Sequence, residues 1–178
     1  VVEYLKIDNE KNWAFIVHRL DRETSGVMIF AKHKRHKEYL QEQFANRSVH
    51  RIYHALIEGR PEKNNGIIRE WLLEDKFLRV KAVNKNHPNA KEAITYWSVE
   101  DSDEFASLLS LTIETGRRHQ IRVGLANLGH PVVGDKQHGA EGNPIGRIAL
   151  HASSLELLHP ETDDPVRFEA TIPFGPEN

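Results

Sequence analysis

The sequence contains no cysteine, which excludes disulfide bonds and zinc sites built from thiolates. It has no apolar run close to the ~20 residues that a membrane-spanning helix needs. No short leader with a charged start and an apolar middle opens the chain. With 178 residues, the chain is long enough to bury a core of its own. We therefore expect a soluble, cytoplasmic, monomeric protein that forms a single domain over residues 1–178.

An excess of positive charge is also missing. Lys and Arg together number 24 and Asp and Glu number 26, so the net charge of -2 gives no overall attraction to nucleic acid. The basic residues are nevertheless concentrated locally, at 32–37, 47–51 and 117–122, and the acidic ones at 100–104 and 161–164. We expect these runs to form a basic face on one side of the molecule and an acidic face on the other.

The 11 histidines do not follow a metal-binding pattern. His33 and His36 have a zinc-like spacing, but they lie in a basic run without a carboxylate ligand nearby, and no His-Glu-x-x-His sequence occurs. We therefore predict no metal site.

Ionisable residues are clustered between two apolar runs near the start of the chain. The runs at residues 13–17 and 26–31 are rich in β-branched and aromatic side chains, which is typical of buried strands. The polar loop between them holds Asp21 among arginines and ends in Thr-Ser-Gly, which suits a tight return. One interpretation is an ionised carboxylate presented as a nucleophile, and the alternative is an aspartate that caps a turn.

The rest of the chain predicts an α+β fold, with a mixed, mainly antiparallel β-sheet and flanking helices. Residues 1–6 suggest a short strand or a lead-in segment. Apolar periodicity predicts helices at 34–47 and from 117 to the stop at Gly129, strands at 49–58, 67–73, 77–83, 92–99, 105–113 and 166–172, and sheet-closing segments at 147–152 and 155–159. Tyr53 shares a strand face with small and apolar residues, as a core tyrosine also would.

Three motifs in order resemble the RluA family of RNA pseudouridine synthases. They are His-Arg-Leu-Asp-Arg-Glu-Thr-Ser-Gly at 18–26, Arg-Ile-Tyr-His-Ala-Leu-Ile-Glu-Gly at 51–59, and Thr-Gly-Arg-Arg-His-Gln-Ile-Arg-Val at 115–123. The resemblance covers nearly the whole chain, from about Trp13 to Pro173. It implies the pseudouridine synthase catalytic fold and the isomerisation of a uridine in tRNA or large-subunit rRNA, without cofactor, metal or energy source.

The resemblance also implies roles for individual residues. Asp21 would be the nucleophile, Tyr53 would stack on the uracil and shuttle a proton, and Arg122 would pair with Asp21 and keep it ionised. Arg19 would fill the stack left by the extruded base. The remaining RNA contacts are predicted at Lys34, Arg35, Arg118 and His119.

The chain departs from the family pattern at three places. Relatives commonly carry His at position 124 and Tyr at position 138, where this chain has Gly124 and His138. They usually carry an earlier strand pair with a Lys-Pro element, which is not seen here. A catalytically silent RNA-binding domain, or an inactive fragment of the same fold, therefore stays open as the alternative.

Overall fold

One large β-sheet organises the computed structural model, which describes residues 1–176. Seven strands follow the order β10-β9-β4-β8-β7-β5-β6 with antiparallel pairing throughout, and β2 pairs in parallel with β9. The strands of this sheet are β2 Ser25–Gly26, β4 His50–Glu58, β5 Asn65–Glu74, β6 Val80–Val83, β7 Lys91–Ser102, β8 Ala106–Ile113, β9 Leu150–Leu158 and β10 Pro165–Glu169. The predicted α+β class with a mainly antiparallel sheet is confirmed.

Two helices cover the sheet over separate parts of the core. Helix α3, Gln120–Asn127, buries Ile121 and Leu125 in the main cluster, which also contains Leu109 and Leu111 of β8. Helix α2, Lys34–Ala45, buries Leu40 in a second cluster with Leu155 of β9. The alternation of buried and partly exposed positions along β8 is what the period of two in its sequence predicts.

The two apolar runs around Asp21 do not form the full strands expected of them. Only β1, Phe15–Ile16, and β3, Phe30–Ala31, pair with each other as a two-residue ribbon. Backbone groups between them have other partners, since the Ile29 N–H bonds the His18 side chain rather than a neighbouring strand. The runs are apolar because residues such as Val17 and Ala31 are buried beside α2, which requires no strand.

Other differences from the predicted elements are local. Residues 1–6, expected as a strand or lead-in, belong to helix α1, Val2–Asp8, which has no buried residue. Helix α3 starts three residues later than predicted because His119 adopts a left-handed backbone (φ 53°). Gly129 (φ 90°) follows the end of α3 and stops the helix, as expected. Further along the chain, Lys136–His138 form a 3-10 turn.

Candidate active site

Asp21, Tyr53 and Arg122, which are far apart in sequence, line one cleft of about 840 Å³. Tyr53 comes from the middle of β4, Arg122 from the first turn of α3, and Asp21 from the loop before β2. Further basic side chains line the same cleft, namely those of Arg19, Arg51, Lys76, Lys91, Arg117 and Arg118. The cleft therefore combines the Asp21 carboxylate and the Tyr53 phenol with a largely basic lining, to which Glu74 and Asp75 add two further carboxylates.

The carboxylate of Asp21 is free. Its backbone oxygen accepts the Thr24 N–H at 3.0 Å and closes a tight turn, but its side chain makes no hydrogen bond or salt bridge within residues 1–176. The residue is only partly buried. Both carboxylate oxygens are thus available to a substrate in the cleft.

A glycine sets the distance between the Asp21 loop and Tyr53. Gly26 and Tyr53 both pair with Ala152, one from β2 and the other from β4. Gly26 has φ 115°, and a Cβ there would lie 2.1 Å from the Ala152 carbonyl oxygen. Only glycine fits this approach, so the Ser-Gly of the motif is required by strand pairing rather than by contact with a ligand.

Side chains fix the two ends of the loop. Nε2 of His151 lies 3.3 Å from the Ala170 carbonyl, so it carries the proton and Nδ1 accepts the Ser25 hydroxyl at 2.7 Å. Arg147 donates to the same Ser25 oxygen at 2.6 Å. The resulting contact ties the end of the loop to β9.

His18 holds the beginning of the loop. Its Nε2 accepts the Ile29 N–H at 3.0 Å, and its ring stacks on Phe44 of α2 with centroids 4.7 Å apart. Burial, with help from the Arg51 charge, lowers the pKa of His18 to about 4, so the ring is neutral and able to accept this bond. The first residue of the His-Arg-Leu-Asp motif is therefore a structural anchor, a role that the sequence did not reveal.

Tyr53 presents a neutral phenol. Its side chain is 8% exposed, and its hydroxyl has no hydrogen-bond partner among the described residues. Burial raises the pKa of Tyr53, and the charge of Asp21 raises it further, while the charge of Arg51 partly offsets this rise. The phenol therefore keeps its proton at neutral pH until a substrate takes or exchanges it.

The salt bridge expected between Arg122 and Asp21 does not occur. Arg122 instead binds Asp135 in a two-point contact, with Nε to Oδ2 at 2.7 Å and Nη2 to Oδ1 at 2.8 Å. Both side chains are almost fully enclosed, at 4% and 0% exposure for the two residues. A buried guanidinium needs a carboxylate at close range, and the enclosed Asp135 satisfies this need through two hydrogen bonds.

Asp21 still acts on Arg122 through its charge. Burial alone lowers the pKa of Arg122, but hydrogen bonds and charge from Asp135, with smaller contributions from Asp21 and Glu23, raise it above its ordinary value. Asp135 was not identified from the sequence as the partner of Arg122, because the two residues are 13 positions apart in the chain. The available signal was an acidic residue directly after the buried Val132-Val133-Gly run.

Two histidines lie beside this ion pair. Nδ1 of His119 and Nε2 of His138 are 3.1 Å apart, and the two rings meet edge to face. Burial lowers the pKa of both, whereas the negative charge of Asp21 acts in the opposite direction on each. His119, predicted as an RNA contact, is therefore within electrostatic reach of Asp21 and in contact with His138.

The predicted RNA-binding residues fall into two groups. Arg19 and Arg118 line the cleft, with Arg118 also bound to Glu74 at 3.1 Å. Lys34 and Arg35, at the start of α2, do not line it, and they pair with Glu38 and Glu161 respectively.

The expected separation of a basic face from an acidic face is wrong. The run at 32–37 meets the run at 161–164, because Arg35 and His36 both contact Glu161. Tyr39 of α2 also hydrogen-bonds Asp163. Opposite charges from distant segments attract each other here, which leaves the cleft as the place where basic side chains gather.

Within residues 1–176 no three His, Asp or Glu side chains come together as a metal site would require. None of the helices in that range is long and apolar enough to cross a membrane.

The family model and the sequence relatives that match this chain all point to the same protein family. The model of the RNA pseudouridylate synthase family matches residues 2–127. An uncharacterized RNA pseudouridine synthase of Zymomonas mobilis is 40% identical over 92% of this chain and 75% of its own length. A protein named ribosomal large subunit pseudouridine synthase C, from Buchnera aphidicola, is 33% identical over 97% of this chain and 58% of its own length.

Solved structures agree with the sequence relatives. Human RNA pseudouridylate synthase domain containing 1 matches with a TM-score of 0.81 and 26% identity, covering 96% of this chain and 73% of that one. The present chain spans only 54% of an uncharacterized RNA pseudouridine synthase of Bacillus subtilis, to which it is 38% identical over 91% of its own length.

Proposed function

Because this chain belongs to the RNA pseudouridylate synthase family, we propose that its cleft isomerises a uridine of structured RNA to pseudouridine, with Asp21 as the nucleophile. The observation that carries the proposal is a carboxylate with no protein partner, in a cleft shared with a neutral phenol and surrounded by basic side chains.

The reaction needs no external reagent. The N1–C1′ bond of uridine breaks, the uracil turns, and a C5–C1′ bond forms, while the hydrogen on C5 is lost as a proton and N1 gains one. Asp21 attacks C1′ as the N1–C1′ bond breaks, and the bond between Asp21 and C1′ breaks in turn when C5 of the turned uracil bonds to C1′. Tyr53 lies where a ring can stack, and its hydroxyl can relay the proton between ring positions.

Access to the base requires extrusion from the RNA stack. We assign this step to Arg19, which lines the cleft, is exposed and has no partner for its side chain within residues 1–176. The proposed RNA contacts also include Arg118, His119 and, at the start of α2, Lys34 and Arg35.

Arg122 acts on Asp21 through its charge and not through a direct contact. Its guanidinium, held by Asp135, places a fixed positive charge near the Asp21 loop without a direct bond to the Asp21 carboxylate. It also orders the first turn of α3, where His119 and Arg118 are presented.

The experiment is Asp21→Asn, assayed by tritium release from RNA labelled at C5 of uridine. The amide keeps shape and hydrogen bonding but removes the charge, so turnover should vanish while the fold and RNA affinity are retained. Asp8→Asn, in α1 and outside the cleft, is the matched control and should be fully active. Turnover by Asp21→Asn would overturn the assignment, and RNA binding without turnover by the wild-type chain would favour the catalytically silent domain.

Large-subunit rRNA is the first substrate to test, because the Buchnera aphidicola relative is named for it. Transfer RNA is the second. Pseudouridine mapping of total RNA with and without the gene distinguishes them. We also propose that the enzyme is cytoplasmic and acts as a single-domain monomer. Sedimentation of the purified chain would test the monomeric state.

A further inference from the structure

Arg51 is a cleft cation that no carboxylate neutralises. It stands on β4 two residues before Tyr53, and strand geometry puts both side chains on the same face. Its Nε is enclosed and has no hydrogen-bond partner, and its guanidinium makes no salt bridge within residues 1–176. By contrast, Arg118 and Arg122 in the same cleft are each bound to a carboxylate.

A partly buried cation without a partner is costly. Burial lowers the pKa of Arg51, but a guanidinium stays protonated at any physiological pH, so the free protein carries an uncompensated charge. A side chain kept in this state without a partner indicates a ligand of opposite charge.

The neighbours of Arg51 accommodate its charge without neutralising it. The Phe44 ring lies 5.6 Å from the guanidinium carbon, within range of a cation–π contact. On another side, a Cβ at Gly116 would be 3.0 Å from Nη1, so glycine leaves the space that the guanidinium fills. His18, whose pKa Arg51 helps to lower, is neutral and does not add a second positive charge.

We propose that Arg51 forms an anion subsite in the cleft, beside Tyr53, that receives an anionic oxygen of the bound nucleotide. The identity of this ligand as a nucleotide rests on the proposed function. Two oxygens have the required charge: a backbone phosphate oxygen, and the uracil oxygen that becomes negative once the base is detached. The planar fork of a guanidinium binds either one with directed hydrogen bonds.

The first test needs no activity. Thermal unfolding is measured with and without inorganic phosphate for the wild type, Arg51→Met and Gly116→Ala. Phosphate should raise the unfolding temperature of the wild type, and Arg51→Met should lose this rise while being at least as stable as the wild type in phosphate-free buffer. Gly116→Ala keeps the charge but crowds Nη1, and it should reduce the rise.

Arg69→Met is the matched control, because Arg69 is exposed and paired with Glu92 at 2.8 Å outside the cleft. It should keep the full phosphate effect. A fall in the stability of Arg51→Met in phosphate-free buffer, together with an unchanged phosphate effect, would show a purely structural arginine and overturn the proposal.

The second test separates the two sources of the anion. If the ligand is a backbone phosphate, Arg51→Met should weaken RNA binding by about tenfold and reduce the salt slope by about one unit. If the ligand is the uracil oxygen, affinity should be unchanged and the single-turnover rate should fall by about 100-fold, as for loss of one oxyanion donor. Arg51→Lys should recover part of either loss.

A variant with unchanged affinity, salt slope and rate would overturn the subsite. Failure of the proposed function is a different result: the wild type would then modify no RNA, and the phosphate effect on unfolding would still decide whether Arg51 binds an anion.

Discussion

The two halves of the site are held in place by different means. Tyr53 and Arg122 sit on regular elements, the strand β4 and the helix α3, whose backbone hydrogen bonds fix them. Asp21 sits on a loop between strands of only two residues, positioned by a few side-chain contacts and one close approach at Gly26. Removing a single contact should therefore displace Asp21 locally, whereas disturbing the Arg122 side should affect the whole domain.

The largest effect on folding is expected from the Arg122 side. Asp135→Ala leaves Arg122 charged and enclosed without its carboxylate, which should lower the free energy of unfolding by about 3–5 kcal/mol. Urea denaturation measures this loss. The double variant Arg122→Met/Asp135→Leu removes both charges and should recover most of the stability while remaining inactive. A single variant as stable as the wild type would show that the ion pair does not support the fold.

One methyl group added at Gly26 should disrupt the loop that carries Asp21. Gly26→Ala combines a positive φ with a contact of 2.1 Å to Ala152, so the loop must move and activity should fall by at least about 100-fold. Gly139→Ala is the matched control, since Gly139 also has a positive φ (98°) but nothing within 4 Å of the added Cβ. It should lose only about 1–2 kcal/mol of stability and no activity. Equal activity losses in the two variants would mean that close approach is unimportant.

Acid should weaken the loop anchor through His18. Its pKa is about 4 in the folded protein and 6.5 in the unfolded chain, so between these values only the unfolded chain gains the proton. Stability is therefore complete above pH 6.5 and declines as the pH falls toward 4. At pH 5 this effect lowers the free energy of unfolding by about 2 kcal/mol relative to neutral pH.

Comparing wild type with His18→Gln isolates this effect, because a glutamine oxygen can still accept the Ile29 N–H but does not titrate. The urea unfolding energy of His18→Gln should drop less between pH 7 and pH 5 than that of the wild type. Burial also lowers the pKa values of His119, His138 and His151, so a residual acid sensitivity is expected in both proteins. Identical pH profiles would remove His18 as an acid-sensitive anchor.

The difference between the regular elements and the Asp21 loop also explains which parts of the fold could be predicted from the sequence. The elements α2, β4 and β8 were predicted within a few residues, because each has an apolar periodicity set by burial against a hydrophobic cluster. The loop was misjudged as lying between full strands, since apolar residues there are buried by packing on α2 rather than by pairing. Periodicity reports burial, and only indirectly the hydrogen bonds of the backbone.

The site was predicted in composition but not in its pairings. The motifs identified Asp21, Tyr53 and Arg122, and the fold brings all three to one cleft. Asp135 and Arg51 were not singled out, because a buried ion pair and a partly buried unpaired cation differ only in what the fold places beside them. Charged side chains that look alike in sequence acquire their roles from distant neighbours.

The smallest expected effects concern RNA contacts at the surface, and they compare the loop with α2. Arg19 lines the cleft without a partner, whereas Arg35 is 76% exposed in its side chain, outside the cleft, and bound to Glu161. Arg19→Gln should lower RNA affinity several-fold and reduce the salt slope by about one unit, as loss of one phosphate contact does. Arg35→Gln should change affinity by less than about threefold, because a phosphate must first displace Glu161. Filter binding at several salt concentrations measures both, and a larger loss for Arg35→Gln would move the RNA path from the cleft onto α2.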